Sequence, residues 1–531
     1  METTRNERHE YRLVEVSSRR RTTARLPLVF AGFVMALSSK RTTPTSLSAR
    51  WHGSASVFAI LIAALPAAAD VTISSDATQN MNCANGVCAP TSSDAVLNVS
   101  DLESLLAAGN VTVTTTGSGV QANNIDVTAS LLWTKATLTF DAYGSLSVSA
   151  PILVKARSGL SILTNHGGSG GELAFFGKGH VSFKNLASNL SINGARYTLV
   201  NSIKLLAGDI AANPSGSFAL AADYDARQDG TYSSSPIGTG FAGIFEGMGN
   251  KITNLALQIA IGSVGVGFFS TIGQQGQVRD ISLSNVTVQV EKQQKRVALL
   301  EGTLAGDSAG NISRAFVTGT VTTPTYQDGT EAGGLVGTNS GQIEQSSADV
   351  LVEAPAKRSG DAIELGGLVG VNGGQIGQSY STGRIDSGDI RVDAPVGSLA
   401  GSSNGSIVNC YATGKSTSQF DAGGLIGEND GNVSSSYSTG VVSGANLTGG
   451  LIGVDYSSQG SLSDTYWDTD TSGVTNLSQG AGSPPNDPGI TGLSTGQLQA
   501  GLPTGFDSSI WGENANVNNG LPYLLAIPPD K

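Results

Sequence analysis

Charge, histidine, cysteine and aromatic rings are all scarce in this 531-residue chain, and each shortage removes a class of function. Only 14% of residues are charged and 6% are aromatic. The four histidines are His9, His52, His166 and His180. His9-Glu10 has no second imidazole one helical turn later, so the H-E-x-x-H site of a zinc peptidase lacks its ligands. His166 and His180 sit on a ladder of short strands and read as two surface residues, with no G-x-S-x-G elbow to supply a nucleophile. The apolar run from Ser54 to Ala69 falls short of the roughly 20 residues that a membrane helix needs. Basic residues are scarce after that run. Residues 1–69 hold 10 Lys/Arg and 4 Asp/Glu of the chain's 30 and 42, leaving 20 and 38 and a net charge of −18. So acidic a body repels phosphates, and neither nucleic acid nor an anionic membrane is an expected partner.

What the chain has is glycine, 70 residues of it against only 17 prolines. Glycine at that level, spread among alternating apolar residues, points to many tight corners rather than to collagen or a linker. It also recurs in phase. GGLVGVNGGQIGQSYSTG (Gly366 to Gly383) returns as GGLVGTNSGQIEQSS from Gly333, GGLIGENDGNVSSSYSTG from Gly423 and GGLIG from Gly449. Looser copies begin at Glu301 and Val396. No copy has enough apolar surface to fold alone, so stacking of neighbours must supply the core.

Taken in order, Ser54 to Ala69 follows Lys40, Arg41 and Arg50 and ends in small residues, the layout of a cleaved secretory signal. A membrane anchor is the alternative, and Met35 would give a more ordinary start. Residues 1–69 are therefore read as a targeting region, and no integral span is expected in the mature form. In an exported protein, Cys83 and Cys88 around Asn85-Gly86 are most simply a disulfide closing a small turn, since no further ligands for a metal lie nearby. Cys410 stands where other copies place Ser379 or Ser436 and is expected to be a small inward residue.

Residues 70–195 are read as an N-terminal β-helix section, in which the chain from about 111 is a ladder of i, i+2 apolar pairs: Leu138/Phe140, Leu146/Val148, Leu160/Ile162, Leu173/Phe175, Val181/Phe183 and Leu190/Ile192. Recurrence of 138 at 160, 146 at 173 and 160 at 181 suits successive turns of a parallel β-helix; a meander of hairpins would give similar pairs. Residues 196–240 break the rhythm. Ser202 can cap a short helix carrying Ile203, Leu206 and Ile210, stopped by Asn213-Pro214. Residues 241–470 hold the glycine-rich copies. Their predicted inward residues are Leu335, Ile343, Leu368, Ile376, Leu425, Val433 and Leu451, with Ile407 equivalent. The corner glycines Gly276, Gly310, Gly341, Gly374, Gly405, Gly431 and Gly460 are read as positions of positive φ or close backbone approach. Loops at 355–361 and 391–395 account for uneven spacing. Asn339, Asn372, Asn404 and Asn429 suggest either a stacked asparagine column or ordinary solvated turns. Residues 471–531 read as a C-terminal cap, with a helix over Ser494 to Leu502 and with Trp467, Trp511, Tyr523 and Leu524 plugging the open end.

These copies resemble the GLUG repeat, and the wider arrangement is similar to large secreted bacterial proteins of the filamentous-haemagglutinin and adhesin type. The segments YTLVN…FAGIFEGMGNKITNL and YWDTDTSG…WGENANVNNGLPYLL carry the same likeness. The resemblance implies an exported β-helical surface protein. GLUG repeats also occur in IgA-cleaving metallopeptidases, whose zinc motif is the one missing here.

The fold expectation is thus all-β: a right-handed parallel β-helix with a short helical junction and a C-terminal cap. The expected function is a non-catalytic, adhesin-like protein, secreted or at the cell surface, binding extracellular glycans or proteins through Ser, Thr, Asn and Tyr side chains. Two alternatives stand beside it. One is a polysaccharide lyase or glycosidase, for which Asp223, Asp225, Arg227 and Asp229 are candidate acids and cation. The other is a passive structural rod. No cofactor is expected, except that Asp468, Asp470 and Ser472 open like a calcium loop; Gln479 stands where a bidentate glutamate belongs, and a capped turn competes.

Overall fold

The computed structural model describes residues 70–260, 264–291, 298–324, 329–354, 363–388 and 394–529. Residues 1–69, read above as a targeting region and including His9, Met35 and His52, and the expected loops at 355–361 and 391–393 lie outside the described residues.

Strands dominate, and nearly all pair in parallel with a strand one repeat away. In the N-terminal section, Thr137–Asp141 lies between Val111–Thr114 and Gly159–Leu163, aligning Leu138 with Val111 and Leu160. Leu146–Val148 lies between Ile125–Val127 and Leu173–Phe175. A meander of hairpins would have made these pairs antiparallel, so that alternative is overturned. One predicted register is also corrected. Leu160 pairs with Leu190, and Val181 pairs with Ile152 in a different sheet. An i, i+2 pair marks an inward face but does not say which sheet it joins.

The helix Val99–Ala108 (α1) and a hairpin of Met81–Ala84 with Val87–Pro90 flank the start of this section. Asn98 caps α1 by accepting from the Ser100 and Asp101 amides. Cys83 and Cys88 face each other across the hairpin and are joined as a disulfide.

The junction turns the chain over. Ala195–Val200 runs antiparallel to Asn189–Ile192 and parallel to Ser217–Leu220. Its alternation divides two cores: Leu199 packs with residues 71–248, and Val200 with a second cluster extending to Ala481. The helix Ile203–Ala212 (α2) begins after Ser202, whose Oγ accepts from the Leu205 amide, and ends at Asn213. Ile203, Leu206 and Ile210 enter the second core, spaced three and four apart as one helix face requires.

From Gly265 onward each repeat gives one strand to each of two parallel sheets and one to three strands to a third. The first contains Thr330–Gly333, Ile363–Gly366, Val396–Gly397 and Ala422–Gly423. The second contains Val336–Asn339, Val369–Asn372, Ala400–Ser403 and Ile426–Asn429. The third runs from Gln277–Val290 through Gln342–Glu344, Gln375–Gly377 and Ser406–Val408 to Ile490–Leu493. Leu335, Ile343, Leu368, Ile376, Leu425, Val433 and Leu451 are all buried in the second core. Each contributes roughly 1.5–3 kcal/mol by leaving water.

The corners explain why the motif is spelled as it is. A Cβ on Gly374 would meet the Gly341 carbonyl oxygen at 2.1 Å, and one on Gly341 would meet that of Gly310 at 2.0 Å. Neither glycine has positive φ, so close approach is the whole reason for glycine here. Gly460 leaves the column: it has φ +93° and open space around it. Beside the glycines runs a buried polar column in which Asn339 Nδ2 donates to Asn372 Oδ1 at 2.9 Å and Asn372 Nδ2 donates to Ser403 Oγ. Asn429 Nδ2 donates to Asp455 Oδ1. The member from the repeat between is Ser403, not the predicted Asn404, which is exposed.

Candidate binding face

The third sheet bends in the middle of every repeat, two residues past its inward Ile, Val or Leu. Asp280, Arg314, Gln345, Gln378, Asn409, Ser435 and Asp464 all have φ between 42° and 55°. Seven successive repeats thus place a non-glycine residue in the left-handed region, where side chains other than Asn and Asp are uncommon. The bend breaks the ladder, and the next residue repairs it. The Ser346 amide donates to Ser379 Oγ of the following repeat at 3.1 Å, and Ser379 Oγ donates to the Gly377 carbonyl at 2.7 Å. Cys410 occupies the same position: its thiol donates to the Val408 carbonyl, and its amide donates to Ser436 Oγ. Burial pushes the Cys410 thiol up to about 12, which removes it as a nucleophile near neutral pH.

The bend turns a second column outward. Phe316, Ser347, Tyr380, Tyr411, Tyr437 and Tyr466 stand in register. Tyr380 stacks on Tyr411 with centroids 4.7 Å apart, and Tyr411 on Tyr437 at 5.3 Å. The C-terminal segment lies against this column. Phe506, Trp511, Leu521, Leu524 and Ile527 bury Tyr411 and Tyr437. Tyr437 Oη donates to the Pro522 carbonyl at 2.6 Å, and Trp511 Nε1 donates to Asn409 Oδ1 at 3.0 Å. The expected plug is therefore divided. Trp467 closes the second core, with Nε1 donating to the Val474 carbonyl, whereas Trp511 and Leu524 cover the tyrosines, and Tyr523 sits in a two-stranded pair with Trp511–Gly512. The predicted helix is shorter too: it is Thr495–Leu498 (α3), with Ser494 and Gln497 closing a capping box.

At the other end of the row, charge is buried. Arg314 Nε and Nη2 donate to the two Asp280 carboxylate oxygens at 2.6 and 3.1 Å, while Nη1 reaches Glu172 of the N-terminal section at 2.5 Å. Arg279 pairs with the fully buried Glu246 at 2.7 Å and with Tyr197 Oη at 2.9 Å. Burial, and then the Asp280 charge, raise the Glu246 carboxyl well above its ordinary range. No sequence pattern announced these pairs, because Glu172 and Arg314 are 142 residues apart.

The carboxylates considered for sugar chemistry are tied up locally. Asp225 takes both Arg227 Nε and Nη2 and also accepts from Asn254, which holds its carboxyl well below the usual range. Asp229 accepts from the Tyr224 and Tyr232 hydroxyls, and Asp223 from the Lys251 amide. His166 is exposed and contacts Asp141; His180 Nδ1 lies 3.0 Å from the Lys178 carbonyl. Asp468 Oδ1 accepts from the Asp470 and Thr471 amides and Oδ2 from Thr495 Oγ1, while Asp470 Oδ2 accepts from the Thr495 amide. Ser472 turns to Val474. These donors make a capped turn, and among the described residues no group of three or more His, Cys, Asp or Glu could hold a metal. No helix among them is long and apolar enough to cross a membrane.

Compared with protein-family models and with curated proteins, the chain matches none of either. The row of left-handed residues and its tyrosine column therefore stand on geometry alone as the candidate face.

Proposed function

We propose that this protein is an exported, non-catalytic binding scaffold of the adhesin kind, with its three-sheet stack wound as a right-handed parallel β-helix. The handedness is the one that parallel crossovers almost always take. The observation that carries the functional reading is the outward row itself. Polar and aromatic side chains repeat there at the strand spacing of ~4.8 Å, while the acidic residues near Asp225 are consumed by local hydrogen bonds. The two ends of the row are covered by this chain itself, and the half-buried stretch between them at Gln345, Gln378 and Tyr380 offers several weak contacts side by side, which suits adhesion better than turnover. Secretion and a place outside the cell follow from the leader-like run at Ser54 to Ala69. The GLUG-like and haemagglutinin-like wording of the repeats leads to the same class.

The test is to present the full chain to arrays of glycans and of extracellular matrix proteins, and in parallel to incubate it with acidic and neutral polysaccharides. Saturable binding without change in polysaccharide chain length is the expected result. Depolymerisation of any polysaccharide would defeat the proposal in favour of a lyase or glycosidase, and binding to nothing would favour a passive rod.

A further inference from the structure

Two segments of this chain already lie on the ends of the left-handed row, Glu172 on Arg314 and the C-terminal segment on Asn409 and Ser435. Between them Glu344, Gln345, Gln378 and Tyr380 are half-buried. We infer that this middle stretch is a docking surface for an extended, basic polypeptide segment that carries an aromatic side chain. The inference rests on the reading of the stack as a binding scaffold, and it names the partner.

The first argument is continuity with a contact that the protein already makes. The C-terminal segment binds the flank as a polypeptide: Tyr437 Oη, Tyr466 Oη and Ser435 Oγ donate to the carbonyls of Pro522, Thr504 and Gly505. Its indole N–H donates to the Asn409 amide oxygen, and the Trp511 ring packs at a tilt against Tyr411, with centroids 6.1 Å apart. Among the described residues, the strands it forms after α3 pair with each other, and side chains hold it to the flank. Asn409 and Tyr411 are thus an amide and a phenol that seat a tryptophan. Gln378 and Tyr380 are the same two chemical groups one repeat earlier, at the same register and with the same left-handed bend. The seat for an aromatic residue is repeated.

The second argument is charge. Beside this seat stand the carboxylates Asp280, Glu172 and Glu344, and the Arg314 guanidinium near them already faces Asp280, Glu172 and Gln345. Glu344 accepts from Gln378, and burial followed by the Glu172 charge raises its carboxyl above the ordinary range. A cation from outside relieves that repulsion. The span from Arg314 to Asn409 is three repeats, about 14 Å, which about four extended residues cross.

The test uses the full chain and a fluorescein-labelled peptide of arginine, tryptophan and arginine between glycines, read by anisotropy. Glu344→Gln and Gln378→Gly should each weaken binding about tenfold, and added salt should weaken it further. Glycine is at ease at the Gln378 bend, so that variant keeps the fold. Asp76→Asn removes the same charge from an exposed remote site and should change nothing. Equal affinity in Glu344→Gln, Gln378→Gly and Asp76→Asn would overturn the inference. So would loss of oligosaccharide binding in Gln378→Gly with no peptide bound by the parent chain. If array ligands bind and the peptide does not, this inference fails while the scaffold reading stands; if neither binds, both fail.

Discussion

Gly373 and Gly374 are neighbours in sequence, and the structure assigns them opposite tolerance for a single methyl group. A Cβ on Gly374 would lie 2.1 Å from the Gly341 carbonyl oxygen and 2.8 Å from the Ser340 carbonyl carbon, both backbone atoms that cannot rotate away. Relief requires the two repeats to part by about 1 Å, far more than the rigid packing of a core absorbs. The same Gly341 oxygen accepts from the Gln375 amide at 2.9 Å, so parting also strains that bond. Overpacking of about 1–3 kcal/mol and a weakened buried hydrogen bond of about 1–2 kcal/mol together predict that Gly374→Ala costs about 2–5 kcal/mol. A Cβ on Gly373 meets Asn404 Oδ1 at 3.3 Å and the Asn339 carbonyl at 3.7 Å, and the backbone there has no positive φ. Gly373→Ala should therefore stay within about 0.5 kcal/mol of the parent. Because repeat arrays depart from two-state unfolding, the sensitive assay is amide hydrogen exchange over residues 366–383, supported by urea midpoints. Loss of protection confined to Gly374→Ala is expected. Equal protection in both variants would refute the claim that close approach dictates the corner glycines.

Three further outcomes follow from the same geometry. Cys410→Ser should leave the thermal midpoint nearly unchanged because Ser346, Ser379 and Ser436 already play that part; Cys410→Val should cost about 1–3 kcal/mol by orphaning the Ser379 amide. Removing Arg314 as Arg314→Met should destabilise by about 3–5 kcal/mol, since it strands the buried Asp280 carboxylate; a double variant with Asp280→Asn should recover part of it, measured by urea denaturation. Burial, together with the neighbouring Asp455 carboxyl, raises the Asp487 carboxyl to about 7. A raised carboxyl holds its proton in the folded state, so its contribution is present at low pH and is lost as pH rises from about 4 through about 7. Asp487→Asn should therefore gain stability over the parent at pH 8 but not at pH 4, by about 1 kcal/mol after allowing for solvent screening. A gain of the same size at both pH values would disprove the coupling.

Much of the repeat was legible from residues alone because it depends on short-range rules. Ile376 stands alone between Gln375 and Gly377, and Leu368 forms an apolar pair with Val369, so both stretches have only the core in which to hide their apolar surface. Ser202 before Ile203, Leu206 and Ile210 specified a capped helix, since a cap and a face at 3.6-residue spacing are local properties. The left-handed bend at Gln345 and Gln378 was not legible. Glutamine has no preference for that conformation, which is held by its own amide's bond to the following repeat and by the bonds of Ser346 and Ser379 beside it. The polar column runs through Ser403 and leaves Asn404 in a solvated turn because one residue of register reverses a side chain's direction.

The sequence by itself therefore determined an all-β chain built of stacked repeats, the identity of its inward residues and the position of its junction helix, while parallel pairing was decided by the strand registers. Tertiary structure decided which side chains the flank of the third sheet leaves half-buried and which it covers. Glu172 meets Arg314, and Trp511 meets Asn409, across separations of 142 and 102 residues. Contacts of that range depend on how many repeats are stacked and where each chain end returns, which no local pattern encodes.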